Sequence, residues 1–385
     1  MGSHTVNKPL VNLQSTDKGP LRDDPARSYT LPARFYTDPE IYAAEKENVF
    51  YRNWWCVGHK SHFAEKGQYR TVDVVDESLF VVRDRKGELK AFYNICQHRG
   101  HQLLSGEGKT QSIVCPYHAW AYDLNGDLRS ARNTDEMVDF DKCEFALKPV
   151  KVEEFAGFVF VNLDDDATSM AEQAKGLEEE IRKYCPRIDE LVFAQRDTYE
   201  VACNWKVLVD NFLECYHCDP AHKDFVDLVD MDTYRTITHS CFSSQIAGAP
   251  RTTNSKAYSF EKGDVDFGYA GWFLFPNLSI WIYPGETNIS TLQIIPTGPE
   301  TTIEYQDWYA LSDEPSQQLK DAMAYQKDVL QPEDIGLCLS VQKGLRSKGY
   351  NQGRFVIDKN LSELSEHAVH HFQKFIADSL DAKLE

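Results

Sequence analysis

The sequence lacks any apolar run long enough to cross a membrane. Its 385 residues are 42% hydrophobic and 26% charged, yet no stretch of about 18 apolar residues occurs. The N-terminal residues MGSHTVNKPLVNLQSTDKG have no apolar core behind a basic start, which predicts that there is no secretory signal. We therefore expect a cytoplasmic protein without a membrane partner.

Basic residues are scarce. Lys and Arg number 41 against 60 Asp and Glu, which gives a formal charge of −19. Proteins that bind a phosphate backbone need clustered Lys and Arg, so we expect no nucleic-acid partner. The acidic balance suits a cationic small substrate or a basic redox partner, although solubility alone explains it more simply.

The sequence also lacks internal repeats, and no G-x-G-x-x-G fingerprint for a dinucleotide follows a predicted strand. Several of the ten cysteines lie in apolar stretches, among them Cys56, Cys203 and Cys338. This distribution predicts reduced cytosolic thiols rather than a disulfide framework.

Hydrophobic patterning divides the chain into segments. The start is polar and aperiodic, a helical stretch with Pro39 near its beginning follows, and short alternating segments with turn signals come next. The remainder mixes helical and strand-like patterns. We predict an α+β protein with four parts: a surface tail at 1–35, a helix at 36–54, a small antiparallel β domain at 55–162 and a larger α+β domain at 163–385.

The stretch CQHRGHQLLSGEGKTQSIVCPYH carries two mixed pairs, Cys96 with His98 and Cys115 with His118. Such ligands hold zinc or an iron–sulfur centre. Structural zinc sites usually pair like residues at short spacing, whereas one thiolate and one imidazole from each loop suit a two-iron cluster with two ligands on each iron. His101 is expected to form a loop hydrogen bond instead.

A second constellation lies in NWKVLVDNFLECYHCDPAH. His217 and His222 are five residues apart and would diverge by about 140° on an unbroken helix. Pro220 predicts a break, with Asp219 capping the next turn, which would bring the imidazoles together. Two satisfied histidines beside a helix break are the alternative. Two imidazoles and one carboxylate suit non-haem Fe(II) that activates dioxygen.

The carboxylate must come from another segment. In VLQPEDIGLCLSVQKGL, Asp334 falls in the first turn of a helix that Pro332 is predicted to open. Acids favour first turns because of the helix dipole. From the residues alone, Asp334, its neighbour Glu333 and plain capping all stay open.

Four stretches resemble the terminal oxygenase component of Rieske non-haem iron oxygenases: NICQHRGHQLLSG, CPYHAWAYDL, NWKVLVDNFLECYHCDPAH and QPEDIGLCLSVQKGL. The resemblance runs from about Tyr36 to Ile376 and is greatest to the quaternary-ammonium branch, which includes carnitine, betaine and stachydrine oxygenases. It implies a Rieske domain at 55–162 before a helix-grip (START-like) catalytic domain. It also implies ligands for a [2Fe-2S] cluster, at Cys96, His98, Cys115 and His118, and for a mononuclear Fe(II), at His217, His222 and Asp334.

Glu214 departs from the wider family, most members of which have Asp three residues before the first iron-binding His. Glutamate there marks the quaternary-ammonium branch. The resemblance implies that Glu214 bridges electron transfer to the neighbouring subunit's cluster. The i, i+3 spacing predicts that it shares a helix face with His217, and Asp210, one turn earlier, is expected to join this network.

The resemblance implies O2-dependent hydroxylation next to nitrogen, with C–N cleavage or N-demethylation, in a head-to-tail homotrimer. Because the chain has no dinucleotide fingerprint, electrons from NAD(P)H must arrive through a separate reductase. The alternatives are an aromatic-ring hydroxylating Rieske oxygenase, an electron carrier that uses only the cluster, and a zinc-stabilised binding module.

Residues 269–310 are dense in aromatic side chains. Some of these rings are expected to form a cation–π cage, although strand core is the simpler assignment for any single ring. The candidates are Trp272, Phe273, Trp281 and Tyr283. Near the C-terminus, His367, His370 and His371 lie on an amphipathic pattern and are expected to face solvent.

Overall fold

The computed structural model describes residue 14 and residues 16–261 and 268–382. These residues form two compact units, of which one runs from Phe50 to Gln173 and the other combines the residues before and after it. The small unit extends beyond the predicted end at 162 because its own contacts hold the following residues. Trp54 Nε1 donates to the carbonyl of Thr168 (2.9 Å), and the Met170 amide donates to Glu153 (2.8 Å).

Strands and helices are numbered along the chain. The strands are β1 Trp55–His59, β2 Gln68–Val74, β3 Glu77–Arg83, β4 Leu89–Tyr93, β5 Glu107–Lys109, β6 Ile113–Val114, β7 Ala121–Tyr122, β8 Leu128–Ser130, β9 Pro149–Phe155, β10 Phe158–Asn162, β11 Val192–Val201, β12 Arg235–Thr238, β13 Phe242–Ile246, β14 Ala270–Leu274, β15 Leu278–Ile282, β16 Asn288–Gly298 and β17 Thr301–Ala310. The α-helices are α1 Pro39–Glu45, α2 Met170–Gln173, α3 Leu177–Tyr184, α4 Trp205–Phe212, α5 Cys218–Ala221, α6 Lys223–Leu228, α7 Gln317–Tyr325, α8 Gln331–Leu345 and α9 His367–Ser379. None of the helices within the described ranges is long and apolar enough to span a bilayer.

The small unit is built from antiparallel strands. A seven-stranded sheet has the order β1-β10-β9-β4-β3-β2-β5, and a three-stranded sheet has the order β6-β7-β8. Phe80, Trp120 and Tyr122 belong to one buried cluster that also contains Cys96 and Cys115. The core of this unit therefore directly supports both predicted thiol ligands.

The larger unit is a seven-stranded antiparallel sheet with helices on both faces. The order is β11-β17-β16-β15-β14-β13-β12. On one face, Phe372 of α9 packs on Phe273 of β14 with ring centroids 5.6 Å apart. On the other face, Tyr184 of α3 packs on Trp272 of β14 at 5.7 Å. The two units together confirm the predicted α+β fold class.

Helix α1 is tied to α4 by a buried ion pair. Lys206 Nζ lies 2.6 Å from Glu45 Oε1, and Trp205 Nε1 donates to Glu45 Oε2 (2.9 Å). Both charged side chains are fully buried, so the attraction between them offsets the cost of removing each charge from water. The pair fixes the start of α4, the helix that leads into the His217 segment.

The N-terminal tail is more buried than its polarity suggested. Leu21 and Leu31 are 2% and 1% exposed, the Leu31 amide donates to Gln373 Oε1 (2.7 Å), and Tyr29 forms a β-bridge with Arg354. The prediction of a surface tail is wrong for this segment because hydrogen bonds join it to the C-terminal part of the chain. Residues 1–13 and 15 lie outside the described ranges.

The C-terminal histidines do not face solvent as expected. His367 and His370 are buried, and their Nε2 atoms lie 3.0 and 2.7 Å from the carbonyl oxygens of Thr236 and Arg22. His371 is partly buried. The expectation failed because distant segments supply these carbonyls, which the amphipathic pattern of α9 does not reveal.

Candidate functional site

Two loops of the small unit share one backbone arrangement. In each loop the Cys amide donates to the carbonyl five residues later (2.8 Å), and the Cys carbonyl accepts from the amide four residues later (3.0 Å). That fourth residue is Gly100 after Cys96 and Ala119 after Cys115, with φ of 74° and 59°. The repeated turn presents each Cys with its following His on one short loop.

The two thiols are buried, whereas the imidazoles lie at the surface. Cys96 and Cys115 are each 2% exposed, while His98 is exposed and His118 is partly exposed. The imidazole ring centroids are 4.7 Å apart. Burial raises the pKa of the Cys96 thiol, so its thiolate form requires a nearby positive charge such as a metal ion. The structure thus brings the four predicted ligands together.

Aromatic rings position the two imidazoles. The His98 ring stacks on Trp120 with centroids 4.7 Å apart and an angle of 12°, and the His118 ring lies against Tyr117 at 3.8 Å. His101 is not part of this pair, since its Nδ1 lies 2.5 Å from the carbonyl of Gln102. The expected loop hydrogen bond of His101 is therefore present.

His217 and His222 flank the four-residue helix α5, as its N-cap and C-cap. The predicted cause was wrong. Helix α4 already ends at Phe212, so the helical break comes before His217 rather than at Pro220. Pro220 lies inside α5, where its missing N–H costs little because amides of a first helical turn have no intrahelical acceptor. Asp219 is likewise inside α5 and does not cap it.

Three ligand atoms converge between α5 and α8. His217 Nε2 and His222 Nε2 lie 3.1 Å apart, and Asp334 Oδ1 lies 3.4 Å from the first and 2.9 Å from the second. Ligand atoms about 2.1 Å from one ion and at right angles to each other are about 3.0 Å apart. The triangle therefore matches three neighbouring ligands on one face of a metal ion, and these residues form a group that can hold one.

Each imidazole has a carboxylate on its other nitrogen. Glu214 Oε1 lies 2.6 Å from His217 Nδ1, and Glu333 Oε2 lies 2.7 Å from His222 Nδ1. Such contacts fix the tautomer with the proton on Nδ1 and direct the Nε2 lone pair towards the metal. The sequence reasoning missed this role for Glu333. Glu214 acts from the turn after α4, not from a helix face as predicted.

The charged groups of the site shift each other's pKa. Burial alone would lower the pKa of His217, but hydrogen bonds to Asp334 and Glu214 raise it to about 10. Burial alone would raise the pKa of Asp334, but hydrogen bonds from His217 and His222 lower it to about 2. Without a metal, protons therefore compete for the same nitrogen atoms that a metal would occupy.

Asp334 is placed by a helix irregularity rather than by a helix start. A π-helical segment, Gln326–Leu330, joins α7 to α8 without a break. Pro332 and Asp334 lie in the first turn of α8 as predicted, but Pro332 does not open a separate helix. The π-turn precedes Pro332 and so relieves the loss of its amide hydrogen bond.

A cavity adjoins the three ligand residues. Of the four predicted aromatic candidates, Trp281 and Tyr283 line it, and Tyr269 lines it as well. Trp272 points to the opposite face of the sheet, where its Nε1 donates to Glu180 (3.0 Å). Phe273 is on the cavity side but packs into the core against α9. Trp272 and Phe273 are therefore not part of the predicted cation–π cage.

Two cysteines beside His217 form a disulfide. Cys215 and Cys218 are joined across the turn that leads into α5, with Cα atoms 4.9 Å apart, which differs from the expected set of reduced thiols. The other eight cysteines are free. The bond links residues only three apart, so it is a local clamp rather than a framework between distant segments.

Asp210 forms a network behind the site. Its Oδ2 accepts hydrogen bonds from Tyr36 (2.6 Å) and Gln373 (3.0 Å), and burial raises the pKa of Asp210 to about 7. It lines a second cavity whose wall also includes Glu214 and His217. The two acids share this cavity without a direct hydrogen bond between them.

Comparison with known proteins decides the family. The Rieske [2Fe-2S] domain matches residues 53–151, and the ring hydroxylating alpha subunit (catalytic domain) matches residues 188–382. The chain belongs to the Rieske oxygenase alpha subunits. The catalytic-domain match rules out a carrier that has only the cluster, as well as a zinc-stabilised binding module.

This Rieske oxygenase alpha subunit is similar to proteins that oxidise quaternary ammonium compounds. It is 42% identical to the carnitine monooxygenase oxygenase subunit of Escherichia coli (strain K12), over 92% of this chain and 94% of the relative. It is 33% identical to the chloroplastic choline monooxygenase of Beta vulgaris, over 92% and 78% of the two chains. A crystal structure of a quaternary ammonium Rieske monooxygenase with its substrate L-carnitine superposes with a TM-score of 0.84 at 39% identity, covering 92% and 97%.

Proposed function

We propose that this chain is the oxygenase component of a two-component system that uses O2 to hydroxylate a carbon next to the nitrogen of a carnitine- or betaine-type substrate. Collapse of that product would cleave a C–N bond or remove a methyl group. The observation that carries the proposal is the cavity beside His217, His222 and Asp334. Aromatic rings and carboxylates line it, and no Lys or Arg stands among its described lining residues. The carnitine and choline monooxygenases to which the chain is similar support the same substrate class.

The residues fit the two implied groups. Cys96, Cys115, His98 and His118 would hold the [2Fe-2S] cluster, with the buried thiols on one iron and the surface imidazoles on the other. The triangle of Nε2 and Oδ1 atoms would hold the mononuclear iron. The chemistry supplied there, when the groups are bound, is one-electron transfer at the cluster and dioxygen activation at the lone iron.

The protein's own residues orient the ligands and admit the substrate. Glu214 and Glu333 hold the Nδ1 protons of the two histidines, which keeps the ligands fixed while the substrate enters. Asn211 and Gln245 line the cavity. The amide of Asn211, and the second N–H of Gln245, whose Nε2 also donates to the Phe212 carbonyl, are hydrogen-bonding groups for a substrate carboxylate. The aromatic side chains that line the cavity are suited to exclude water from the reacting carbon.

We propose that the chain works in a head-to-tail homotrimer, with the cluster of one subunit delivering electrons to the lone iron of the next. Two exposed apolar patches support this arrangement. One patch, with Tyr117 and Met137, surrounds the loops that carry His98 and His118. The other surrounds the second cavity, whose wall includes Glu214, and consists of Leu337, Val341 and Tyr350.

We propose that the electrons come from NAD(P)H through a separate reductase, since the sequence has no dinucleotide fingerprint. We also place the protein in the cytoplasm, where its eight free cysteines would stay reduced.

The substrate proposal is tested by aerobic turnover with a generic reductase over a panel of compounds. The panel contains carnitine, γ-butyrobetaine, glycine betaine, proline betaine, choline and benzoate, and the assay scores trimethylamine against formaldehyde. We expect O2-dependent release of one of these products from at least one quaternary ammonium compound. Oxidation of benzoate alone would instead establish the alternative, an aromatic-ring hydroxylating oxygenase.

Metal binding at the three-residue site should strengthen with rising pH. The pKa of His217 is raised to about 10, and that of His222 is raised through Asp334 and Glu333 despite burial. A pKa of about 10 keeps the proton bound to His217 at pH 7, so the metal must displace it. We expect the affinity of metal-free protein for Co²⁺ to rise about tenfold per pH unit, for each proton displaced, between pH 6 and 8.

The affinity is measured by titration in a metal buffer. The variant Glu214→Gln, which removes the carboxylate from His217 Nδ1, should flatten the slope. A wild-type affinity that does not change with pH would contradict the assigned ligands.

A further inference from the structure

Glu304 is a buried carboxylate of the substrate cavity that no part of the mechanism above uses. It lies on β17, is 1% exposed and lines the cavity beside Asp334. Its neighbours across the sheet are Tyr199 of β11 and Ile294 of β16. Burying a carboxylate without a cationic partner is costly, so its presence in this wall requires an explanation.

The hydrogen bonding of Glu304 does not supply a partner charge. Within the described part of the chain, Gln331 Nε2 donates to Glu304 Oε2 (2.6 Å), and this donor is neutral. Burial, and then the nearby charge of Asp334, raise the pKa of Glu304 to about 8. A cation in the cavity would reverse this effect and favour the charged carboxylate.

The other two acids of the cavity are already engaged. Glu214 contacts His217, and Asp334 contacts both His217 and His222. No Lys or Arg lies among the described residues of the lining. Glu304 is therefore the acid of this cavity whose charge a bound ligand can balance.

The surroundings of Glu304 suit a cation that cannot donate hydrogen bonds. A trimethylammonium group has no N–H, so aromatic faces and a carboxylate in van der Waals contact are the means of binding it. Tyr269 and Tyr283 meet edge to face with centroids 5.8 Å apart, and Trp281 lines the same cavity. Cation–π contacts attract the cation to the aromatic faces, whereas a carboxylate discriminates by charge.

We propose that Glu304 is the counter-ion of the substrate's quaternary nitrogen and that it selects cationic over neutral compounds. This inference rests on the proposed function and assigns one residue to its substrate class. Gln331 connects Glu304 to the turn of α8 that carries Asp334. The hydrogen bond therefore fixes the cation-binding carboxylate relative to the iron ligand, three residues away on the same helix.

The test compares charged and uncharged ligands of the same shape. The probes are γ-butyrobetaine, choline and the analogues in which carbon replaces the quaternary nitrogen. Their binding to iron-loaded protein is measured by calorimetry without O2 or reductant. We expect wild type to bind the charged member of a pair at least 30-fold more tightly than its neutral analogue, which equals about 2 kcal/mol. In Glu304→Gln, which keeps the shape and the acceptor for Gln331, this ratio should fall below threefold while the neutral affinity stays unchanged.

The matched control is Asp307→Asn, since Asp307 is a buried acid of the same strand that pairs with Arg196 and does not line the cavity. It should keep the wild-type ratio. If Glu304→Gln does not fold, Glu304→Asp, which keeps the charge, decides the matter by retaining a ratio above tenfold.

Two results would overturn the inference alone. One is an unchanged ratio of charged to neutral affinity in Glu304→Gln. If only Glu304→Asp folds, the corresponding result is a ratio below tenfold in that variant. The other is an equal loss for both members of a pair in Glu304→Gln, which would show a packing role. Failure of wild type to bind either quaternary compound would instead overturn the proposed substrate class and the inference with it.

Discussion

Replacing Asp334 with Ala should remove the mononuclear iron and leave the cluster intact. Asp334 Oδ1 contacts both Nε2 atoms of the histidine pair. Its loss removes one of the three ligands and the negative charge that holds the two imidazoles together. We expect iron to fall from about three to about two ions per chain. Product formation should fall at least about a thousandfold because the site of dioxygen activation is lost.

The neighbouring acid supplies the matched control. Glu333 lies on the same turn and contacts only the Nδ1 atom of His222. Glu333→Ala should therefore keep the iron at normal loading and reduce turnover about 10- to 100-fold, the usual effect of losing a residue that orients a ligand. Metal analysis with electron paramagnetic resonance of the reduced cluster separates the two variants. Full iron content in Asp334→Ala would remove Asp334 from the ligand set.

Replacing Glu214 with Ala should block electron passage without removing either metal centre. Glu214 accepts from the His217 amide (3.1 Å) and contacts its Nδ1 (2.6 Å), and it lines the second cavity, beside the exposed apolar patch. It therefore stands between the metal ligand and the surface where we propose that the next subunit's cluster docks. We expect reoxidation of a pre-reduced cluster, followed by stopped-flow absorbance with substrate and O2, to slow at least about 100-fold.

Asp210→Asn is the control for a bridging role. Asp210 lines the same cavity but is bonded to Tyr36 and Gln373 rather than to His217. Its replacement should slow the same step less than about tenfold. Loss of the mononuclear iron in Glu214→Ala would make Glu214 a ligand, and a normal rate with both centres present would end its role as a bridge.

Sequence reasoning located those parts of the site whose residues lie only a few positions apart in the chain. The alternation of Cys96, His98, Cys115 and His118 is visible in one stretch because each loop carries its own pair. The choice between Glu333 and Asp334 was not accessible in this way. Both acids lie on one turn, and only the packing of α8 against α5 shows which one faces the two Nε2 atoms.

Trp272, which was wrongly assigned to the cavity, shows a second limit of prediction from sequence. Trp272 and Trp281 lie on adjacent strands of equal aromatic character, and the register pairs Trp281 with Gly271. Trp272 therefore points to the opposite face, towards α3. Alternation gives relative orientation within one strand, but the register between strands is needed to know which side carries the cavity. The burial of His367 was missed because its acceptor, the carbonyl of Thr236, lies 131 residues away in the chain.

The π-helical segment Gln326–Leu330 makes the site sensitive to chain length. Each residue turns an α-helix by about 100°, and a π-turn is the usual trace of one inserted residue. The π-turn absorbs that residue, so winding the same residues as regular α-helix without a deletion would rotate the Asp334 carboxylate by about that angle, away from the histidine pair. Relatives that keep this chemistry are thus expected to have either this π-turn or a regular helix with one residue fewer between Tyr325 and Asp334.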